Sequence, residues 1–310
     1  MKLKSIQKQA GFWLIVVLDV VLLALCVVQI VHPIFHLQNI GLFNSKGPVA
    51  QHQAQLILTA FGLMLLLALP VLATAFFIVF KYREGNKQAY DPDWTDRHSK
   101  RQILWWLPPA LIIALMSIIN FQSAHQLDPF TTVASTQPPM TIQVVALRWK
   151  WLFIYPDQKI ATVNFLEVPQ NVPLKFELTA EGPMSLFWIP QLGGQMAAMP
   201  AMISHLNLMA ESVGDFAGQN SEINGDGYSR MNFKVHSVTN SDFNAWVAST
   251  KNSSSPLTQA VYDQLAEPND SVPPAFYTVG DENLYNNIVK KYLSPNTAST
   301  SMDSSMQDMK

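Results

Sequence analysis

Cysteine is almost missing. Cys26 is the only one in 310 residues, and it lies inside an apolar run, which excludes intramolecular disulfides and thiolate metal clusters. Charge is scarce as well: charged residues make up 14% of the chain against 49% hydrophobic. Ordinary soluble domains carry about 25% charged residues, so the deficit points to a membrane component. The net charge of −2 offers no basic excess to meet nucleic acid. No Ser/His/Asp set at a recognisable motif, phosphate-binding glycine loop or helical His/Glu metal pair occurs, so no active site is expected on this chain. Asp91, Asp93 and Asp96 cluster within a basic loop, as self-neutralising surface charge.

Long apolar runs are what the chain has instead. They are GFWLIVVLDVVLLALCVVQIV (11–31), LILTAFGLMLLLALPVLATAFFIVF (56–80) and ILWWLPPALIIALMSIINF (103–121). A membrane span needs about 20 apolar residues, so 56–80 and 103–121 read as transmembrane helices. Pro70, Pro108 and Pro109 are expected as kinks, which membranes tolerate when neighbouring groups satisfy the freed backbone. Residues 1–32 read as a signal peptide or an uncleaved anchor. The stretch LALC resembles a lipoprotein signal that would lipidate Cys26, although Leu25 and the apolar residues beyond it argue against that reading. The loop 81–102 holds Lys81, Arg83, Lys87, Arg97, Lys100 and Arg101, whereas 33–55 holds only Lys46. Positive loops stay cytoplasmic, which puts 33–55 and everything after 121 outside, in a bacterium the periplasm.

The texture changes after a linker at 122–139. MTIQVVALRWKWLFIYP, VNFLEV, PLKFELTA, SLFWIP, SHLNLMA and MNFKVHSV are short strand-like runs separated by Gly, Pro, Asn and Asp. They predict an all-β sandwich or barrel over 140–238. A helical, aromatic-rich extension is expected over 239–293, with Ser241 or Asp242 as a helix cap and Leu284, Ile288, Val289 and Leu293 on one face. Residues 294–310 read as a disordered tail.

One loop, GQNSEINGDGYSRM (218–231), has the rhythm of a metal site without a cysteine or histidine. With two membrane helices, an outer β-domain and the aromatic strand RWKW, it resembles subunit II of the haem–copper terminal oxidases. The electron-accepting members of that family use Cys-x-Glu-x-Cys-Gly-x-x-His-x-x-Met. Here Asn220 and Asn224 stand at the cysteine positions, Tyr228 stands at the histidine, and Glu222, Gly225 and Met231 match. A second histidine of the family falls five residues before the proline of a P-x-L-G turn, and here that residue is Ser185. Soft thiolates and imidazoles select copper, so these replacements predict a structural relic with no metal. The branch lacking the ligands is the quinol oxidases. LILTAFGLML and WKWLFIYPDQKIATVN resemble the bo-type ubiquinol oxidases in particular.

The resemblance implies a cupredoxin-like fold, a bacterial inner-membrane location and a noncatalytic role in a proton-pumping quinol oxidase. It puts the haems, the oxygen-reducing copper and the quinol site on a partner, subunit I, with further small membrane subunits and lipid around it. Family members often carry a glutamate near the start of the second helix. Here Arg101 or Gln102 falls there, so how protons enter is left open.

Trp149 and Trp151 would pack at the interface with subunit I, since without copper they have no electron donor. Glu222 is expected to shape the loop by accepting backbone N–H groups. Met184, Met196, Met199, Met202 and Met209 lack chelating regularity, and His205 and His236 stand in separate strand-like runs. Two other readings remain: a cytochrome c oxidase subunit II with a rebuilt copper site, and a membrane-tethered periplasmic copper-binding or chaperone protein.

Overall fold

The computed structural model describes residue 41 and residues 43–83, 106–131, 133–281 and 283–293. The 1–32 segment with Cys26, the acidic cluster, Arg101 and Gln102, and the tail 294–310 lie outside the described residues. Helix α1 runs Pro48–Lys81 and α2 runs Leu107–Gln126, both long and apolar enough to cross a membrane. Pro70 lies inside α1. Pro108 and Pro109, expected as kinks, instead occupy the first turn of α2, where the missing N–H has no partner to lose. Thr59, Thr74 and Ser117 each donate their hydroxyl to the carbonyl one turn back, which hides those groups from lipid.

With 34 residues, α1 is about 51 Å long, against about 30 Å of hydrocarbon. It begins at Pro48, ahead of the apolar run, because its first turns are seated on the β-domain that follows α2. Ala50 and Ala54 are buried there. Lys46 N–H donates to Gln191 O at 2.7 Å, Ala50 N–H to Leu192 O at 3.2 Å, and Glu211 N–H to Lys46 O at 2.8 Å. The Leu192 carbonyl thus caps an N–H that the helix itself leaves free. Two glycines permit the close approach. A Cβ on Gly47 would lie 2.2 Å from Met209 O, and one on Gly193, whose φ is +90°, would lie 2.6 Å from Ala50 N.

The β-domain is a sandwich. One sheet contains β1 (Met140–Leu147), β2 (Lys150–Tyr155), β3 (Ile160–Val163), β5 (Pro173–Ala180) and β8 (Ser204–Met209). The other contains β4 (Phe165–Pro169), β6 (Ser185–Trp188), β7 (Gln195–Ala198), β9 (Gly214–Asn220) and β10 (Asn232–Val238), in the order β4-β10-β9-β6-β7. Between the sheets Trp151 packs edge-on against Phe187 at 5.3 Å, and Phe187 stacks on Phe233 at 5.2 Å.

After α3 (Asn240–Ser253) the C-terminal extension is not wholly helical, which corrects the expectation. Its β11 (Ser255–Leu257) and β12 (Ala275–Val279) join the first sheet, giving the order β11-β12-β3-β2-β1-β5-β8. The run AFYTV is aromatic and β-branched, and the edge of β3 was open to pair with it. Helices α4 (Gln259–Ala266) and α5 (Leu284–Lys291) lie over the outer face of that sheet. There Tyr262, Leu284, Tyr285 and Ile288 meet Val145, Leu152 and Ile154. Both faces are covered, so every residue of β2 is buried. The cap of α3 is Thr239, whose hydroxyl accepts from Asp242 N–H at 3.3 Å; neither Ser241 nor Asp242 takes that place. Leu293 lies beyond the end of α5 and is exposed.

Buried polar groups fasten the extension. Lys150 Nζ donates to Leu265 O and Glu267 O, each at 2.8 Å, and so meets the negative end of α4. The carboxylate of Glu181, buried, accepts from Tyr262 and Lys291, and from Tyr292 at 3.4 Å. Burial and that carboxylate push the Tyr262 hydroxyl far up.

Two predictions follow from these contacts. Gly193→Ala meets both positive φ and the Ala50 backbone, so it destabilises the junction by about 2 kcal/mol or more. Limited proteolysis then cuts within residues 45–56 faster than in the parent chain; an unchanged rate contradicts the seating. The second concerns Glu167, buried in β4 with its carboxylate 3.4 Å from His236 Nδ1. Burial pushes its carboxyl above the usual range, and His236 pulls it part of the way back. The folded chain holds that proton more tightly than the unfolded one, so this stabilisation is present at acid pH and lost as pH rises through the folded value. Glu167→Gln removes that slope from thermal unfolding as pH rises from the ordinary glutamate value of about 4.3; superimposable profiles contradict it.

Candidate functional site

Strands β6 and β9 are antiparallel neighbours that pair Phe187 with Asn220. This register brings the end of β9 beside the start of β6, and therefore Asn220 beside Ser185. The chain then loops out and returns through a 3-10 turn, Tyr228–Arg230, to β10. Asn220 N–H donates to Met231 O at 3.0 Å and Ser221 N–H to Leu186 O at 3.1 Å, which closes the base of the loop.

Inside this frame the side chain of Asn220 is fully used. Its Oδ1 accepts from Leu186 N–H at 2.9 Å and Glu222 N–H at 3.1 Å. Its Nδ2 donates to Glu222 O at 3.0 Å and to Asn224 Oδ1 at 3.2 Å. Asn224 Nδ2 in turn donates to Met184 O at 2.9 Å and Ser185 Oγ at 2.8 Å. Ser185 Oγ lies 4.0 Å from the Met231 sulfur, with both residues buried. Four of the six positions singled out from the loop pattern, Ser185, Asn220, Asn224 and Met231, thus come together in one neutral network.

The other two do not join it through their side chains. Glu222 contributes its backbone N–H and carbonyl to Asn220, so Asn220, and not the Glu222 carboxylate, shapes the loop. An amide does this better because it both donates and accepts. Tyr228 opens the 3-10 turn, half-buried.

The two tryptophans have different fates. Trp151 is fully enclosed between the sheets, with its indole N–H donating to Met231 O at 3.3 Å. It has no surface for a partner, so its expected interface role is corrected to core packing. Trp149 occupies the β1–β2 turn with φ 64° and lies half-buried. Its indole rests on the loop: a Cβ added to Gly225 would be 3.0 Å from its Cζ2, and one on Gly227 would be 2.5 Å from its Cγ. Those two glycines make room for the ring.

Among the described residues, no three His, Cys, Asp or Glu side chains are gathered as a metal-binding group. His205 in β8 and His236 in β10 belong to different sheets. The methionines range from buried Met209 to exposed Met184 and Met202. Sequence reading missed the Lys150 and Glu181 attachments, which carried no local signal.

Residues 158–238 match the family described as cytochrome c oxidase subunit II, periplasmic domain. Residues 251–296 match the COX aromatic rich motif. The chain is similar to cytochrome bo(3) ubiquinol oxidase subunit 2 of Pseudomonas aeruginosa, at 41% identity over 82% of this chain and 77% of that one. It is 37% identical to ubiquinol oxidase subunit 2 of Acetobacter aceti, over 82% of this chain and 83% of the relative. Against quinol oxidase subunit 2 of Bacillus subtilis the identity is 33%, covering 80% and 78%.

Replacing Asn220 by Ala strands two part-buried N–H groups, of Leu186 and Glu222, and removes two further bonds. At about 1 kcal/mol each, the loss is about 2–4 kcal/mol. Denaturant unfolding measures it, and a change below about 0.5 kcal/mol contradicts the network's role.

Proposed function

Since this chain belongs to the ubiquinol oxidase subunit 2 family of the haem–copper oxidases, we propose that it is a noncatalytic subunit of a proton-pumping quinol oxidase whose copper site has been replaced by hydrogen bonds. The observation that carries this reading is the amide network of Asn220, Asn224 and Ser185 at the places where the copper-binding loop has cysteine and histidine.

A dinuclear copper centre needs soft thiolates to bridge the metals and imidazoles to terminate them. The side chains present offer amide and hydroxyl oxygens and one thioether. The Asn220 amide has no valence left over, and Asn224 Nδ2 is spent on Met184 O and Ser185. This set does not fit copper, so no electron enters through it. Electrons then come from a quinol dissolved in the membrane. The haems, the oxygen-reducing copper and the quinol site belong to subunit I, with further small membrane subunits completing the assembly.

The remaining role is mechanical. The basic loop 81–102 supports a cytoplasmic position for that segment, and with it a periplasmic position for the sandwich at a bacterial inner membrane. Helices α1 and α2 pack on subunit I, with Gly62 and Ala68 as small contact positions. The outer domain covers the oxidase core and excludes water, with Trp149 holding the loop in shape beneath the partner.

Trp149→Ala tests this role. It removes the ring under Gly225 and Gly227, so less haem-bearing complex is recovered through a tag on this chain, by about threefold or more for a loss above 1 kcal/mol. Turnover per haem stays the same. Undiminished haem with slower turnover contradicts a mechanical role.

A further inference from the structure

A cleft of about 210 Å³ opens between the outer ends of the two membrane helices, lined by His52, Gln55 and Thr59 of α1 and by Ser123 and Gln126 of α2. Its depth follows from helix geometry. Counting about 20 residues, or about 30 Å, up from Phe80 at the basic end of α1 reaches about Ala60. The apolar run that enters α2, 103–121, is long enough for about 28 Å of helix and ends two residues before Ser123. The polar lining therefore begins where hydrocarbon stops, at the level of lipid headgroups. Below it both helices present apolar side chains outward: Phe61 and Leu65 on α1, Ile118 and Phe121 on α2, all exposed.

We propose that this cleft is a binding site for the headgroup of one zwitterionic phospholipid of the phosphatidylethanolamine class, with its acyl chains on the apolar faces below. The lining contains no Lys, Arg, Asp or Glu, so it has no fixed charge to attract an anionic lipid. It has both kinds of neutral partner. The hydroxyl of Ser123 and the N–H groups of Gln55 and Gln126 donate to a phosphate, and the amide oxygens accept from an ammonium. A trimethylated head has no N–H to give those oxygens. The site depends on membrane insertion alone and not on the copper-free reading of the loop.

The test uses the complex purified through a tag on this chain and washed in detergent until bulk lipid is gone. Bound lipid is counted per mole of chain by mass spectrometry. The parent complex retains one equivalent of phosphatidylethanolamine that the double variant Gln55→Leu, Ser123→Ala lacks, its occupancy falling at least about fivefold for two lost hydrogen bonds. Equal phosphatidylethanolamine in both, or a difference confined to anionic lipid or to quinone, overturns the proposal. A second readout needs no variant. Hydrogen exchange at the amides of residues 124–128 is slower in phosphatidylethanolamine bilayers than in phosphatidylglycerol; equal exchange overturns it too.

Discussion

One buried amide sets the geometry of the loop. Asn220 makes four side-chain hydrogen bonds, to Leu186 N–H, to the N–H and carbonyl of Glu222, and to Asn224. They tie β9 to β6 and the loop to itself. An asparagine has two donors and two acceptor lone pairs, and the loop takes all four. Metal ligation would compete with this bonding for the same atoms. Gly225 and Gly227 also shape the loop by letting the Trp149 ring lie on the backbone.

The sandwich that carries the loop is secured from two sides. Its seven-stranded sheet is covered on one face by the five-stranded sheet and on the other by the C-terminal extension. Lys150 joins these layers, because its Nζ reaches through to the end of α4. Glu181 does the same through Tyr262 and Lys291. A third attachment, at Gly47 and Gly193, makes the sandwich continuous with α1.

Much of this was legible in the residues. The apolar runs announced the helices, and the six strand-like stretches announced the sandwich, because both signals are local. What was not legible depends on distant partners. The run AFYTV became a strand only because β3, more than a hundred residues earlier, had an open edge. Trp151 suggested an interface because tryptophan favours them, but its strand is covered on both faces. Glu222 and Asn220 both offer side-chain oxygens, and only the register of β6 with β9 decides which one reaches Leu186. Thr239 lies just ahead of two equally good caps, and the backbone's extended conformation at that residue selects it.

The point of electron entry is decisive. Oxygen uptake by the complex purified through this chain, offered ubiquinol and then reduced cytochrome c, measures that directly. Uptake is expected with ubiquinol, and none above background with cytochrome c. Sustained uptake with cytochrome c would mean that the loop of Asn220 and Asn224, or another site on this chain, still accepts electrons, and the reading of the network as a replacement for copper would be wrong.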